Sequence, residues 1–471
     1  MPTLSKLVSA TQTHDTRTHN GAITNSTSQS HLVDLFFIAW TLIGKNPSEY
    51  MQKRHAAFLE DKTLAMRLLF WMRDVRWGAG VRDAFNYIYN QLSAEDKKHY
   101  STFIPLYGRW KDIFELAEQD FDSFKDYICG YFIPDIHGDW GLFCKWFPRK
   151  WKLFEMVRKE LWLTPKQLRK IIVKGSDTVE QKMSAKQREE ILYEHVPSKA
   201  LAKYQKAFER HDEYRFNKFI NQTPELVKST TLFPADIFKE YKQGKNDNVI
   251  EAQRKNLPDY IQSDKTFLPM IDVSGSMTWA DYSNETGITP IMNSVALGLY
   301  LAERNKSIFK DAFMSFSSEP KMHYIKWDTI RDKFAYIEKD PTMGYSTNIQ
   351  GAFDLILSSA RRSHLSQSDM PDYLLILSDM EFDCYSVWWD RTNYEEIEAK
   401  YRMAGYKMPN LVFWNLNWRV GNVPVTINDD WVALVSGYSP AIMKSVLSSK
   451  VVTPYDVMLE TLNSERYAII K

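Results

Sequence analysis

The 471-residue sequence predicts two domains of different class: an α-helical array, then an α/β domain with a doubly wound, mostly parallel sheet. Three observations lead there. Apolar residues recur at helical spacing from Leu32 to about residue 243. From residue 266 the pattern changes to short apolar runs separated by amphipathic stretches, which marks strand–helix alternation. Between the two, residues 246–264 are polar and weakly patterned, as a linker is.

Residues 1–30 are polar and rich in Thr, Ser, Asn and His, so a flexible or loosely docked arm is expected. The helical domain spans 31–245. Leu32, Leu35, Phe36 and Ala39 follow the i, i+3, i+4, i+7 spacing of one helix face. Segment 61–72 opens with an acidic N-cap candidate, Asp61, and continues with good helix formers. Gly78 and Gly80 break the pattern, and Phe85, Ile88 and Leu92 mark the next helix. Further helices are expected near 110–118, 121–132, 151–161, 165–173, 184–194, 198–220 and 234–243. Turns holding Pro or Gly separate most of them, so helix pairs in a repeat array or bundle are expected, although no strict sequence period is present. The α/β domain, 265–471, has expected strands at 266–271, 307–316, 373–377, 411–416 and 431–435. Its expected helices are 289–305, 348–362, 392–403 and 439–449.

Composition narrows the function. Hydrophobic content is 44%, charged content 25% and net charge +1, all ordinary for a soluble globular protein. Cys129, Cys144 and Cys384 lie far apart, which argues against a zinc cluster or disulfide framework and for a reducing, cytoplasmic setting. No signal-peptide core and no run of eighteen apolar residues is present, so no membrane span is expected. No phosphate loop or H-x-x-x-H pair is present, and no nucleophile–base arrangement follows from spacing, so a non-enzymatic role is expected. Nothing points to DNA specificity.

One motif carries metal chemistry. Asp272 stands where the first strand of the sheet should end, and ligands bind at such carboxyl ends in open α/β sheets. Ser274 and Ser276 follow in a turn that Gly275 permits. One carboxylate and two hydroxyls on one side of a turn suit a hard cation such as Mg²⁺ or another divalent ion. Further ligands must come from other strand ends. Thr347 opens the 348–362 helix and Asp379 ends the 373–377 strand, with Ser346 an alternative hydroxyl beside Thr347.

The string LPMIDVSGSM resembles the metal-ion-dependent adhesion site of von Willebrand factor A-type (vWA) domains, whose fold is Rossmann-like. That resemblance implies direct coordination by Ser274 and Ser276. It implies that Asp272 and Asp379 act through water, and that Thr347 acts directly or through water. It also implies an open position that accepts a carboxylate from a partner protein. Upstream, Arg73-Asp74-Val75-Arg76-Trp77-Gly78-Ala79-Gly80, Tyr107-Gly108-Arg109-Trp110-Lys111-Asp112 and Lys145-Trp146-Phe147-Pro148-Arg149 precede the vWA-like part in an order that resembles TROVE-type proteins, the Ro autoantigen family. The resemblance implies a HEAT-like helical ring that binds small structured or misfolded RNA and is closed by the vWA domain. Here Val81 precedes Arg82 where the family's glycine turn often continues to Glu-Arg, and the helical part is short. Ring closure is left open.

The residues themselves point to RNA in one stretch. Between 145 and 174 ten basic residues face two acidic ones, a local excess of about +8. The candidate phosphate ligands are Lys145, Arg149, Lys150, Lys152, Arg158, Lys159, Arg169, Lys170 and Lys174, with Lys166 among the ten. Trp146, Trp151 and Trp162 interleave with them, either as base-stacking rings or as core residues of an ordinary solvated helix face. Arg73, Arg76 and Arg109 are expected to pair with Asp74, Asp83 or Asp112 and pin helix turns.

Overall fold

The computed structural model describes residues 14–39, 51–132, 140–261, 263–278, 287–339, 346–383, 392–416, 422–447 and 453–471. Residues 1–13 of the expected arm, Cys384, Gly344 and Tyr345 lie outside them. The C-terminal part is a six-stranded sheet: β3 (Phe267–Asp272), β4 (Ala312–Phe316), β5 (Lys321–Tyr324), β6 (Tyr373–Ser378), β7 (Asn410–Asn415) and β8 (Val432–Ser436), numbered after a two-stranded hairpin, β1 (Thr16–Arg17) and β2 (Ile23–Thr24). Its order is β5-β4-β3-β6-β7-β8, and every neighbouring pair is parallel except β4 with β5. Every residue of β3 and β6 is buried, because helices cover both faces of a parallel sheet. Helix Pro290–Arg304 lies tightly on β3, where a Cβ at Gly298 would sit 2.5 Å from the Ile271 side chain. The chain leaves β3 toward β4 on one side and returns to β6 on the other. The strand order therefore reverses between β3 and β6, the place where ligands bind at the carboxyl ends of strands in open α/β sheets.

The rest is helical. Short helices run from Met51–Glu60 and Lys62–Arg73 through Trp110–Gln119, Trp140–Trp146, Lys152–Glu160 and Pro165–Gly175 to Ser198–His211, Glu213–Gln222 and Pro234–Lys242. One continuous core joins the first of these helices to the sheet, and a separate smaller core holds Tyr193, Phe208, Phe216 and Ile220. Among the described residues no helix is long and apolar enough to cross a membrane.

Several expectations need correction. From residue 14 onward the arm is docked, not loose. β1 and β2 pair, Gly21 bridges Asp383 and Asn25 bridges Val423, while the Thr18 hydroxyl donates to the Phe382 carbonyl at 2.7 Å. Polar side chains here find fixed partners on the sheet domain, which composition alone does not reveal. Helix His31–Ile38, expected to open the helical domain, packs on β8 and on helix Pro454–Leu462, with Ser436 donating to the Phe36 carbonyl at 3.2 Å. The linker holds a helix, Asp247–Lys255, capped by Asn246 and burying Val249 and Ile250. Its charged flanks hide a narrow apolar face.

The expected 184–194 helix is instead Val179–Ser184 followed by two 3₁₀ turns, with Lys186 at φ +61° breaking the run. The 198–220 helix divides at Asp212, and 121–132 shortens to Lys125–Gly130. The 307–316 strand begins only at Ala312, after Asp311 at φ +61°. The 439–449 helix shrinks to a 3₁₀ turn, Pro440–Ile442, and one helical turn, Met443–Val446. β5 and helices Ile330–Glu338, Pro454–Leu462 and Glu465–Ala468 were not expected; β5 is an edge strand whose side chains are mostly exposed.

The chain makes a circuit. Helices after residue 50 lead away from the sheet domain, and helices Pro234–Lys242 and Asp247–Lys255 return to pack on Pro290–Arg304 and Ile330–Glu338. At the outgoing end the C-terminal residues clasp the early helices. Arg67 donates to the Ile470 carbonyl at 2.9 Å and to Asn463, Tyr107 to the Arg466 carbonyl at 2.5 Å, and Tyr100 to the Lys471 carbonyl at 2.8 Å. Asp74 accepts from both the Arg466 guanidinium and the Tyr467 hydroxyl.

Candidate metal site and candidate RNA face

At the carboxyl end of β3 the chain turns sharply. The Ser274 amide donates to Asp272 Oδ1 at 2.9 Å, which folds the turn back on its own carboxylate. The Ser274 and Ser276 hydroxyls then lie 3.2 Å apart. The register Ile271↔Leu377 brings the end of β6 alongside, so that Ser378 donates to Asp272 Oδ2 at 2.5 Å. Asp379 follows, with its Oδ1 accepting from the Glu381 amide at 3.1 Å. The Thr347 loop crosses the same edge: its carbonyl accepts from the Asp383 amide at 3.0 Å, and the Asn348 amide donates to the Ser317 carbonyl beyond β4 at 3.2 Å. Asp272, Ser274, Thr347 and Asp379 are all buried, while Ser276 and Ser346 are partly exposed. All five candidate metal ligands thus stand at one end of the sheet.

Burial, and next the neighbouring charge of Asp379, pushes the Asp272 carboxyl up to about 7, despite hydrogen bonds from Ser274 and Ser378. Asp272 has no Lys or Arg partner among the described residues. Two carboxylates sharing a buried edge with three hydroxyls form an oxygen-only set, and the chemistry of such a set fits a hard divalent ion. Among the described residues no group of three or more His, Cys, Asp or Glu side chains could hold a metal, so any such site here relies on hydroxyls. Ser378 was missed in the sequence; its signal was its place just before Asp379 at a strand end. Glu381 was missed too: it is buried and accepts from the His19 amide at 2.6 Å and Asn422 Nδ2 at 2.8 Å, tying the N-terminal hairpin to this loop.

The basic stretch occupies helices Trp140–Trp146, Lys152–Glu160 and Pro165–Gly175 and the turns between them. Arg149, Lys150, Lys152, Lys159, Lys166, Arg169, Lys170 and Lys174 are exposed. Lys145 and Arg158 are half-buried and engaged, Lys145 with Glu180 at 2.6 Å and Arg158 with Glu155 at 2.8 Å, which makes them the weakest phosphate candidates. The tryptophans are not core residues: Trp146 is 45%, Trp151 70% and Trp162 93% exposed. Lys150 stands over the Trp151 ring at 4.9 Å, and Lys111, which the sequence did not single out, over Trp146 at 4.9 Å.

Trp151 and Trp162 bracket helix Lys152–Glu160 at φ +80° and +54°. Trp162 occupies the left-handed position just past the helix, its amide donating to the Lys159 carbonyl at 3.1 Å and that of Leu163 to Arg158 at 3.0 Å. Glycine is the cheap residue there, so an exposed tryptophan costs about 1 kcal/mol of backbone strain without any packing in return. The motif arginines serve structure instead. Arg73 is buried against Asp112, Arg82 reaches the same carboxylate at 2.9 Å, and Arg76 donates to the Leu106 carbonyl at 2.9 Å. Arg109 contributes its backbone amide to Asp112 at 2.6 Å.

Comparison with known proteins follows this division of the chain. Residues 151–265 match the model of a domain of unknown function (DUF2828), and residues 267–467 match that of another (DUF7788), the two meeting at the first residue of β3. The chain is also 26% identical over 513 residues to "Uncharacterized protein L728" of Acanthamoeba polyphaga mimivirus, an alignment that covers 94% of this chain and 86% of that protein.

Proposed function

We propose that the protein is a non-catalytic RNA-binding protein. In this reading its helical part is a HEAT-like array of the TROVE type that binds small structured or misfolded RNA. Its sheet domain is of the vWA type and holds Mg²⁺ on Asp272, Ser274, Ser276, Thr347 and Asp379. The observation that carries the reading is the set of three exposed tryptophans, 45%, 70% and 93% accessible, among eight exposed Lys and Arg side chains. Lysines and arginines neutralise phosphates, and exposed flat rings stack on unpaired bases. Retaining Trp162 at a position that favours glycine supports a role outside folding.

Trp162→Gly tests this with effects of opposite sign. Its stability should rise by roughly 0.5–1 kcal/mol, read as a slightly higher melting temperature, because the left-handed strain is relieved. Its affinity for single-stranded RNA should fall by about tenfold, one lost base stack of roughly 1–3 kcal/mol. Fluorescence anisotropy of a labelled oligonucleotide at fixed salt measures the second; unchanged affinity would overturn the stacking role.

A second reading is a protein-interaction scaffold without RNA, in which a metal on the sheet edge recruits an acidic partner. The paired buried carboxylates and adjacent hydroxyls favour that the metal exists in either reading. Asp272→Ala combined with Ser274→Ala should abolish the melting shift that millimolar Mg²⁺ produces, a shift worth about 2.7 kcal/mol at a hundredfold excess over Kd. The pH dependence has a definite sign. Without metal, the folded state holds a proton on Asp272 up to about 7 that the unfolded chain releases near its ordinary value of 3.8, so stability falls as pH rises between those values. Mg²⁺ competes with that proton, so its stabilisation should grow across the same window. An equal Mg²⁺ shift in the double variant would remove the site.

A further inference from the structure

We propose that the open pocket of the smaller helical core binds a nucleoside monophosphate unit. The pocket has a volume of about 370 Å³ and lies between helix Val179–Ser184, the two 3₁₀ turns after it and helix Ser198–His211. That is within the range of small-molecule sites. Three rings wall it: Tyr193 and Phe208 with centroids 5.2 Å apart at 80°, and Tyr204 with Phe208 at 6.5 Å and 70°.

Its charges decide what it takes. Glu180 and Asp212 both line it, yet each is already neutralised through one oxygen. Glu180 Oε1 holds Lys145 at 2.6 Å and the Tyr204 hydroxyl at 3.2 Å, and Asp212 Oδ2 holds Arg215 at 3.0 Å and the Tyr193 hydroxyl at 2.9 Å. Arg188 and His211 also line the pocket, and no described residue pairs with either side chain. Among the described lining residues Arg188 is the uncompensated charge, which favours an anionic ligand over an organic cation. The second oxygen of Asp212 accepts from no described residue and remains available to a hydroxyl donor. A flat ring against tyrosine and phenylalanine, an anion on Arg188 with the His211 ring beside it, and a hydroxyl on the Asp212 carboxylate together describe a nucleotide. A free carboxylate-bearing ring would leave the hydroxyl acceptor unused.

The Lys145–Glu180 pair joins this pocket to the basic stretch, so the nucleotide arrives either free or as one unit of a strand. The pocket itself stands on its own geometry and does not rest on the RNA reading. The full chain is titrated calorimetrically with AMP, GMP, CMP and UMP, with adenosine and inorganic phosphate alongside. At least one nucleotide should bind with 1:1 stoichiometry, and both fragments at least tenfold more weakly. Arg188→Ala with His211→Ala, and separately Ala207→Phe to fill the pocket, should each weaken binding at least tenfold with melting unchanged. Retention of that binding when Lys150, Lys152, Arg169 and Lys170 are changed to Glu separates the pocket from the basic face.

If free nucleotides do not bind but a nine-nucleotide single strand loses at least fivefold in the same pocket variants, the unit belongs to a strand. No mononucleotide binding together with unchanged oligonucleotide affinity overturns the proposal, as does tighter binding of tetramethylammonium than of any nucleotide.

Discussion

Asp112→Ala should cost the protein about 3–5 kcal/mol of folding stability, the range for breaking a buried ion pair from one side. Asp112 is fully buried and accepts from Arg73 Nε at 3.1 Å and Nη2 at 2.5 Å, from Arg82 Nε at 2.9 Å, and from the Arg109 amide at 2.6 Å. Arg73 is 2% exposed, and burial already lowers its proton affinity below that of an ordinary guanidinium, with Asp112 opposing. Removing the carboxylate strands that charge in the core where no water can reach it. The loss should appear as a lower urea midpoint at unchanged slope. Arg73→Met with Asp112→Leu should recover much of it, because a packed apolar pair replaces the buried ion pair while the half-exposed Arg82 keeps Glu115. A fall of less than about 1 kcal/mol in Asp112→Ala, or a double variant no better than the single one, would show that the cluster does not hold the early helices together.

That cluster explains why two of the sequence motifs read so strongly. The Arg73 and Asp112 strings hold a buried charge network and tight turns; at Gly78 a Cβ would lie 2.0 Å from the Trp71 carbonyl oxygen. The motifs were legible, but their meaning is packing. The sheet was legible for a similar reason: continuous apolar runs such as Leu374–Leu377 belong to strands buried on both faces. Asp272 and Asp379 stand at the strand ends expected of them, because strand ends are visible where such runs stop. Less was visible where the partner lies far along the chain. The 14–30 segment is polar, and its order comes from bonds to residues far along the chain, among them 381–383, 395, 423, 427 and 428. The tryptophans of the basic stretch also could not be assigned from sequence, since a ring between charged residues serves either core or surface until the helix faces are known.

Exchanging Lys150, Lys152, Arg169 and Lys170 for Glu should have the largest effect on nucleic-acid affinity. All four side chains are exposed. Their described contacts are few: Lys150 over the exposed Trp151, Arg169 over the buried Phe154 ring, and a 3.4 Å bond from Arg169 to the Arg149 carbonyl. Melting should therefore change little, since exposed pairs contribute about 1 kcal/mol or less. Affinity should change greatly. Each phosphate contact on a single strand contributes about −0.7 to the slope of log K against log salt, so four contacts contribute about −3. Read from 1 M, where the electrostatic gain vanishes, down to 0.1 M, that slope corresponds to a loss on the order of 10²–10³-fold, before any repulsion from the new carboxylates. The variant should also bind with a visibly flatter salt dependence. Lys145→Glu, by contrast, should have little effect on the slope, because its ammonium already faces Glu180. A gel-shift series from 50 to 300 mM salt separates the outcomes: a uniformly weaker but equally steep line would place the phosphates elsewhere on the molecule, and an unchanged line would leave the exposed tryptophans without the electrostatic partner that makes them a nucleic-acid surface.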